Sequence, residues 1–263
     1  MTHATMVFGD DGSPSADVAW LWINCHAWTG WRLDVIHATD PVAVAASPVR
    51  PQPRAWTPPN PRRAFSEAHL QEVHLLTVDE DPRVALVRPA DLLVIGPRGR
   101  GFLKAMHVGS TAEWLMAGPP TPLVVARHGR TTRSVVVCHD GSANADAATR
   151  ALCRMPWTAG VTATVVAVKD GRADIDAAIE MGTTSLQEVG ATVRKLVLHG
   201  EPVDELLRYL GQHDDPDLVV LGTSTLSGVQ RLALESPSNV VAHSTQHSVL
   251  LATAHGEDRD GRL

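Results

Sequence analysis

Short apolar runs, set off by glycine-bearing or polar loops and by stretches of helical periodicity, give this chain its pattern. In the first half the runs fall at 6–8, 33–38, 73–78, 92–95 and 122–126. Brief continuous apolar runs bounded by turn residues read as strands buried on both faces, the signature of a parallel sheet. Helix is expected between them. Ala16, Ala19, Trp20, Ile23 and Ala27 fall on one helical face after the first run, and helical material is expected over 62–71 and 82–87. A further helix opens at Ser110, where Ser110 and Glu113 make a capping box.

From residue 134 the pattern starts again. Strands are expected at 134–138, 162–168, 193–198, 218–221 and 248–253, and helices at 143–155, 173–189 and 202–210. Asp11-Gly12-Ser13 returns as Asp140-Gly141-Ser142 at an offset of 129, and Gly96 returns as Gly222 at an offset of 126. Two copies of one βα-alternating unit imply the α/β class, with parallel sheets covered by helices on both faces. The polar stretch 128–133 is the best boundary, giving domains at 1–130 and 131–254 and a charged, flexible tail at 255–263. Seven prolines between Pro41 and Pro61 argue against helix or sheet there, so 40–63 is expected to be an extended insertion in the first domain.

Composition narrows the function. At 263 residues the chain has room for two domains of about 130. A net charge of −6 gives no support to nucleic-acid or membrane-surface binding. No apolar stretch approaches the roughly 20 residues needed to span a bilayer. The start MTHATMVFGDDGS does not read as a signal peptide, so a cytoplasmic protein is expected. Cys25, Cys138 and Cys153 show no CxxC spacing and read as reduced thiols. Among 13 histidines only His243 and His247 have the i,i+4 spacing of two ligands on a helix face, and no further ligand accompanies them; surface histidines and no metal site are expected. Trp20, Trp22, Trp28 and Trp31 read as core packing, because no basic stripe runs beside them.

The candidate chemistry lies between residues 92 and 113. An apolar run ends at Gly96, Gly99 follows, and Gly109 and Ser110 lead into a helix. Glycines let a ligand approach the backbone, and a helix start offers N–H groups and partial positive charge to a phosphate. Arg98, Arg100 and Lys104 add counter-charge. The loop is neither a GxxxxGK[ST] nor a GxGxxG motif. Shaping a strand-to-helix turn would explain an isolated glycine pair; three glycines, a serine and basic residues in strand–loop–helix context favour a nucleotide. The second copy keeps Gly222 and Ser236-Pro237 but has Thr225 in place of Gly99 and Glu235 in place of Gly109. Threonine disfavours the left-handed backbone. A carboxylate 4 Å from a phosphate charge costs about 4 kcal/mol at an effective dielectric near 20. The second site therefore reads as degenerate and empty.

The spacing G-x2-G-x9-G-S resembles the ATP-binding signature of the universal stress protein family, and the resemblance covers the chain apart from 40–63 and the tail. It implies two tandem Rossmann-like (adenine nucleotide α-hydrolase-like) domains, each with five parallel strands in the order 3-2-1-4-5. ATP, with or without Mg2+, would lie at the carboxyl ends of strands 1 and 4, in keeping with the switch-point rule. Carried over by motif, Asp11 would contact the adenosine end and the Ala38 backbone would meet adenine. Gly96, Arg98, Gly99, Gly109, Ser110 and Thr111 would hold ribose and phosphates. Asp11 also has a plain role as a turn and cap residue. Asp140, Gly222, Thr225, Glu235 and Ser236 would form the degenerate counterpart. The resemblance further implies pairing of the two fifth strands inside one molecule, with a homodimer and a protein partner left open.

The function implied is a cytoplasmic ATP-binding stress-response module, at most a weak ATPase. Phosphoryl transfer needs a metal site and a positioned nucleophile, and only Asp10 and Asp11 offer nearby carboxylates. The alternatives are an ATP-using enzyme of related architecture, hydrolysing or adenylating, and a non-nucleotide interaction module.

Overall fold

Val, Leu and Ile dominate the runs that become strands. In the computed structural model, which describes residues 3–39, 68–98, 109–169, 174–224 and 236–254, they do so with helices between them. The first half runs β1 (Ala4–Gly9), α1 (Pro14–Asn24), β2 (Trp31–Ala38), β3 (Glu72–Val78), α2 (Pro82–Ala85), β4 (Leu92–Ile95), α3 (Ser110–Met116) and β5 (Leu123–Val125). The second runs β6 (Ser134–Cys138), α4 (Ala143–Cys153), a 3-10 turn (Pro156–Gly160), β7 (Thr162–Lys169), α5 (Ile175–Glu188), β8 (Thr192–His199), α6 (Pro202–Gln212), β9 (Leu218–Gly222), α7 (Pro237–Ser244) and β10 (Ser248–Ala252).

All ten strands form one sheet in the order β3-β2-β1-β4-β5-β10-β9-β6-β7-β8. Each half is parallel and has the order 3-2-1-4-5. The fifth strands meet antiparallel, with Val124 opposite Leu250, so each covers the other's edge. The halves therefore run in opposite directions, and their carboxyl ends lie at opposite ends of the sheet.

One apolar layer on each face crosses the seam between the halves. On one face α1, α4 and α5 bury Ile23, Leu152 and Ile179 against Phe8, Val35 and Val165. On the other, α2, α3, α6 and α7 bury Leu115, Leu206 and Val241 against Val7, Leu93 and Leu251. Trp22 and Trp28 are fully buried. The 3-10 turn of the second half sends Trp157 into the first, 5.9 Å from Trp22 and 4.5 Å from His26 between ring centroids.

The connecting segment 128–133 is polar yet packed. Asp217 gathers three donors from it and from the start of β6: Arg130 Nε at 2.7 Å, the Arg133 N–H at 2.8 Å and the Ser134 N–H at 3.1 Å. His26, 3 % exposed, donates from Nδ1 to the Trp22 carbonyl and accepts the Thr132 N–H on Nε2 at 2.9 Å. A backbone N–H can only donate, so this ring is the neutral Nδ1–H tautomer. Burial holds its pKa down at about 4.

Several expectations are corrected. Helix α1 stops at Asn24, leaving Ala27 exposed, and Trp22 takes a buried place instead. Of the expected 62–71 helix, 62–67 lies outside the described residues; 68–71 is not α-helical, and His69 has a φ of 51°. The insertion at 40–63 and the tail at 255–263 also lie outside them. Helix α7 ends at Ser244, so His247 lies beyond it and does not share a helix face with His243. Nor are the histidines all superficial, since His26, His139 and His247 are buried. The three cysteines are free. Among the described residues no helix is long and apolar enough to cross a membrane, and no cluster of His, Cys, Asp or Glu could hold a metal ion.

Candidate functional site

The sheet order reverses between β1 and β4, and the segments leaving their carboxyl ends converge. After β1 the chain turns through Asp10, Asp11 and Gly12, whose φ of 68° suits glycine, to Ser13, the N-cap of α1. Asp11 Oδ1 accepts the Ser13 N–H at 3.0 Å, and Ser13 Oγ accepts the Ala16 N–H and donates to the Arg98 carbonyl at 3.3 Å. The Asp-Gly-Ser motif thus both turns the chain and fastens it to the loop after β4. Asp10 is 3 % exposed and accepts the Gly12 N–H on Oδ1 at 2.8 Å. One oxygen of its carboxylate is thus engaged within its own turn.

At the end of β4, Gly96 has a packing role. A Cβ there would lie 2.4 Å from the Ser15 carbonyl oxygen, so only glycine lets the strand end meet the start of α1. Gly222 has the same role in the second half, where a Cβ would lie 2.3 Å from the Ala145 nitrogen. This shared constraint explains why that glycine persists in both copies. Pro97 accepts the Gly109 N–H at 2.7 Å, which seats the start of α3 beside Arg98. Arg98 and Ser110 are exposed and Thr111 half-buried.

Ala38 comes in from the neighbouring strand. The Ile36 carbonyl accepts the Asp10 N–H on the β1 side, while the Thr39 N–H bonds to Val78 on the β3 side. Backbone direction alternates along a strand, so the Ala38 N–H and C=O point toward β1 just past the place where β1 turns away. His37 Nδ1 lies 2.7 Å from the Asp10 carbonyl, tying the two strand ends together. Asp11, Ala38, Gly96, Arg98, Gly109, Ser110 and Thr111 therefore lie around one end of the sheet; Gly99, with Arg100 and Lys104, lies outside the described residues.

The capping box is overturned. The N-cap of α3 is Gly109, which makes no side-chain cap bond, and Ser110 is the first helical residue. A box needs the serine one position earlier, at the cap itself. Helix α7 differs: Ser236 is its N-cap, and Ser236 Oγ accepts the Asn239 N–H at 3.2 Å. The second copy closes its helix start with its own hydroxyl. Asp140 repeats the Asp11 contact, taking the Ser142 N–H at 3.0 Å, whereas His139 replaces Asp10 and accepts the Gly141 N–H on Nδ1 at 3.2 Å. Burial lowers the His139 pKa, in keeping with a neutral ring. Thr225 and Glu235 lie outside the described residues.

Sequence reasoning passed over His37, His139 and Arg127. Arg127 is the most consequential: half-buried just after β5, it extends its side chain into the other half. Its trace in the sequence is the change to Thr253 at the end of a run whose four middle positions, 123–126 and 249–252, are apolar in both copies.

Comparison with known proteins bears on the family and the fold. The family model described as "Universal stress protein family" matches residues 3–127 and again residues 131–253. No curated protein sequence matches the chain. A universal stress protein from Archaeoglobus fulgidus DSM 4304 is 15 % identical, with a TM-score of 0.67 and coverage of 95 % of this chain and 96 % of its own. A putative universal stress protein from Pseudomonas aeruginosa UCBPP-PA14 is 14 % identical, with a TM-score of 0.58 and coverage of 99 % of each chain. A universal stress protein in complex with cAMP is 25 % identical over 47 % of this chain and 98 % of its own, with a TM-score of 0.40. Two successive matches that together span nearly the whole chain, on a sheet built twice, show that it belongs to the universal stress protein family as a tandem, two-domain member.

Proposed function

We propose that the first domain binds ATP at the carboxyl ends of β1 and β4, that the second binds no nucleotide, and that occupancy of the first site is the signal in a cytoplasmic stress response. The observation that carries this reading is the unequal start of two equivalent helices. Helix α3 begins on Gly109, a cap residue with no side chain to close the first turn, while Ser236 closes α7 with its hydroxyl. A helix start that its own cap residue leaves open, a short stretch along the chain from the cationic Arg98, favours a polyphosphate, and a self-capped helix offers less to bind.

In this reading adenine meets the Ala38 backbone and Asp11 meets the adenosine end. Arg98, Gly99, Gly109, Ser110 and Thr111 hold the phosphates, and Gly96 contributes by letting α1 approach. Mg2+ would accompany the phosphates.

The test is the nucleotide released when the purified protein is denatured, identified by mass spectrometry and followed by titration with ATP and Mg2+. Gly109→Glu, which copies Glu235 into the first domain, is expected to weaken ATP binding by about 100-fold or more, the equivalent of roughly 3 kcal/mol. Unchanged affinity in that variant, or ATP bound beside Ser236, would overturn the assignment. Steady turnover would favour the enzyme reading, and absence of any nucleotide the interaction module.

A further inference from the structure

Arg127 belongs to both halves of the molecule. Its backbone follows β5, in register with the end of β4: Ile95 is opposite Val125, and the Ala126 N–H bonds to the Ile95 carbonyl at 2.9 Å. That places Arg127 beside Pro97, the residue whose carbonyl seats Gly109. Among the described residues, three of its donors go to the second half. The backbone N–H bonds to Ser248 Oγ at 3.0 Å, Nη1 to the His247 carbonyl at 2.8 Å and Nη2 to the Ala242 carbonyl at 2.7 Å.

Ala242 lies in the last turn of α7, among the carbonyls a helix leaves without partners, where a cation is favourable. Because the halves run in opposite directions, α7 starts at the second cleft, on Ser236, and ends beside the first. Its eight residues span about 12 Å.

Arg127 is half-buried, and among the described residues no carboxylate pairs with its guanidinium. The nearby charge of Arg98 has the same sign, and burial together with that charge brings the Arg127 pKa down to about 10. The equivalent residue of the second half, at an offset of 126, is Thr253, which is too short to make such a reach.

We infer that Arg127 is a positioning residue that carries nucleotide occupancy of the first cleft to helix α7. A polyphosphate beside Arg98 supplies negative charge to this pair of cations, which have no carboxylate partner among the described residues, strengthens the hold of Arg127 on the Ala242 and His247 carbonyls, and steadies α7 back to Ser236. The inference rests on the ATP reading above. Coupling of this kind is reciprocal, so whatever loosens the clamp also weakens the nucleotide by the same factor.

The experiment is amide hydrogen exchange of residues 237–245 in the full chain, with and without ATP and Mg2+, alongside a binding titration. In the wild type, ATP is expected to slow exchange there by about fivefold or more. In Arg127→Gln the slowing disappears, while ATP still binds with affinity reduced by a similar factor. ATP that binds the wild type and leaves exchange at α7 unchanged overturns the coupling but leaves the site standing. Equal slowing in the wild type and in Arg127→Gln overturns the role of this side chain. Failure of ATP to bind the wild type at all overturns both. If Arg127→Gln folds poorly, the wild-type arms still decide the site and the coupling, and Arg127→Lys, which keeps the charge but cannot reach both carbonyls, decides the role of the side chain: ATP-induced slowing equal to that of the wild type overturns it.

Discussion

Acidification acts on His26 at the joint between the two domains. The ring is neutral and uses both nitrogens, Nδ1 toward the Trp22 carbonyl at 2.6 Å and Nε2 for the Thr132 N–H at 2.9 Å. A proton on Nε2 would set one donor against another. Burial lowers the pKa from 6.5 to about 4, with the backbone bond to Trp22 and the charge of Asp217 pulling the other way and that of His128 adding to the drop. Between those two values the unfolded chain binds more protons than the folded one, so stability falls as the pH falls. The contribution is whole above pH 6.5, smaller by about 2 kcal/mol at pH 5 and by about 3 kcal/mol at pH 4. His26→Gln keeps an acceptor and a donor of similar size and cannot titrate. Urea unfolding of both proteins at pH 7.5, 6, 5 and 4 gives the difference between them. It should favour the wild type at pH 7.5 and shrink by about 3 kcal/mol on reaching pH 4. Other buried histidines titrate equally in both proteins and cancel. A difference that stays constant with pH would refute the reasoning.

Gly96→Ala and Gly222→Ala each put a methyl group within 2.4 Å of backbone, so each should lower stability by about 2 kcal/mol or more in thermal unfolding. The effect should be present in the second domain even though no nucleotide is assigned there. At the joint, Asp217→Ala leaves the Arg133 and Ser134 N–H groups without their acceptor and should cost about 2–4 kcal/mol by denaturant titration. Arg130→Ala removes a side chain that is 55 % exposed and should cost less than about 1 kcal/mol. Equal losses from those two variants would show that the ion pair, rather than the backbone contacts, carries the joint.

The alternation of strands and helices could be read because each strand is a block of Val, Leu and Ile buried on both faces, as at 92–95 and 218–221, and because the second block repeats the first. The meeting of the two fifth strands followed from the family resemblance and from the cost of leaving an edge open. Contacts between residues far apart in the chain were not legible. His26 reads as one more polar residue until Thr132, 106 positions later, is seen to donate to it. The segment 128–133 is polar because Asp217 and His26 satisfy it, and polarity alone suggests a loose linker. Ser110 failed for a local reason: a serine followed three residues later by glutamate fits a cap equally well when the helix has started one residue earlier, and Gly109 takes that place. Gly96 was correctly marked as special, but a close approach to a ligand and a close approach to α1 leave the same trace in sequence.

Joining the halves in one chain has a consequence for the seam between β5 and β10. In a dimer of identical subunits a two-fold axis duplicates every contact, so an arginine placed on one side must also stand on the other. Here Arg127 and Thr253 occupy the two related positions, and the joint has a direction. A covalent dimer can thus make one end a sender and the other a receiver, an asymmetry that an assembly of identical copies could reach only by distorting itself.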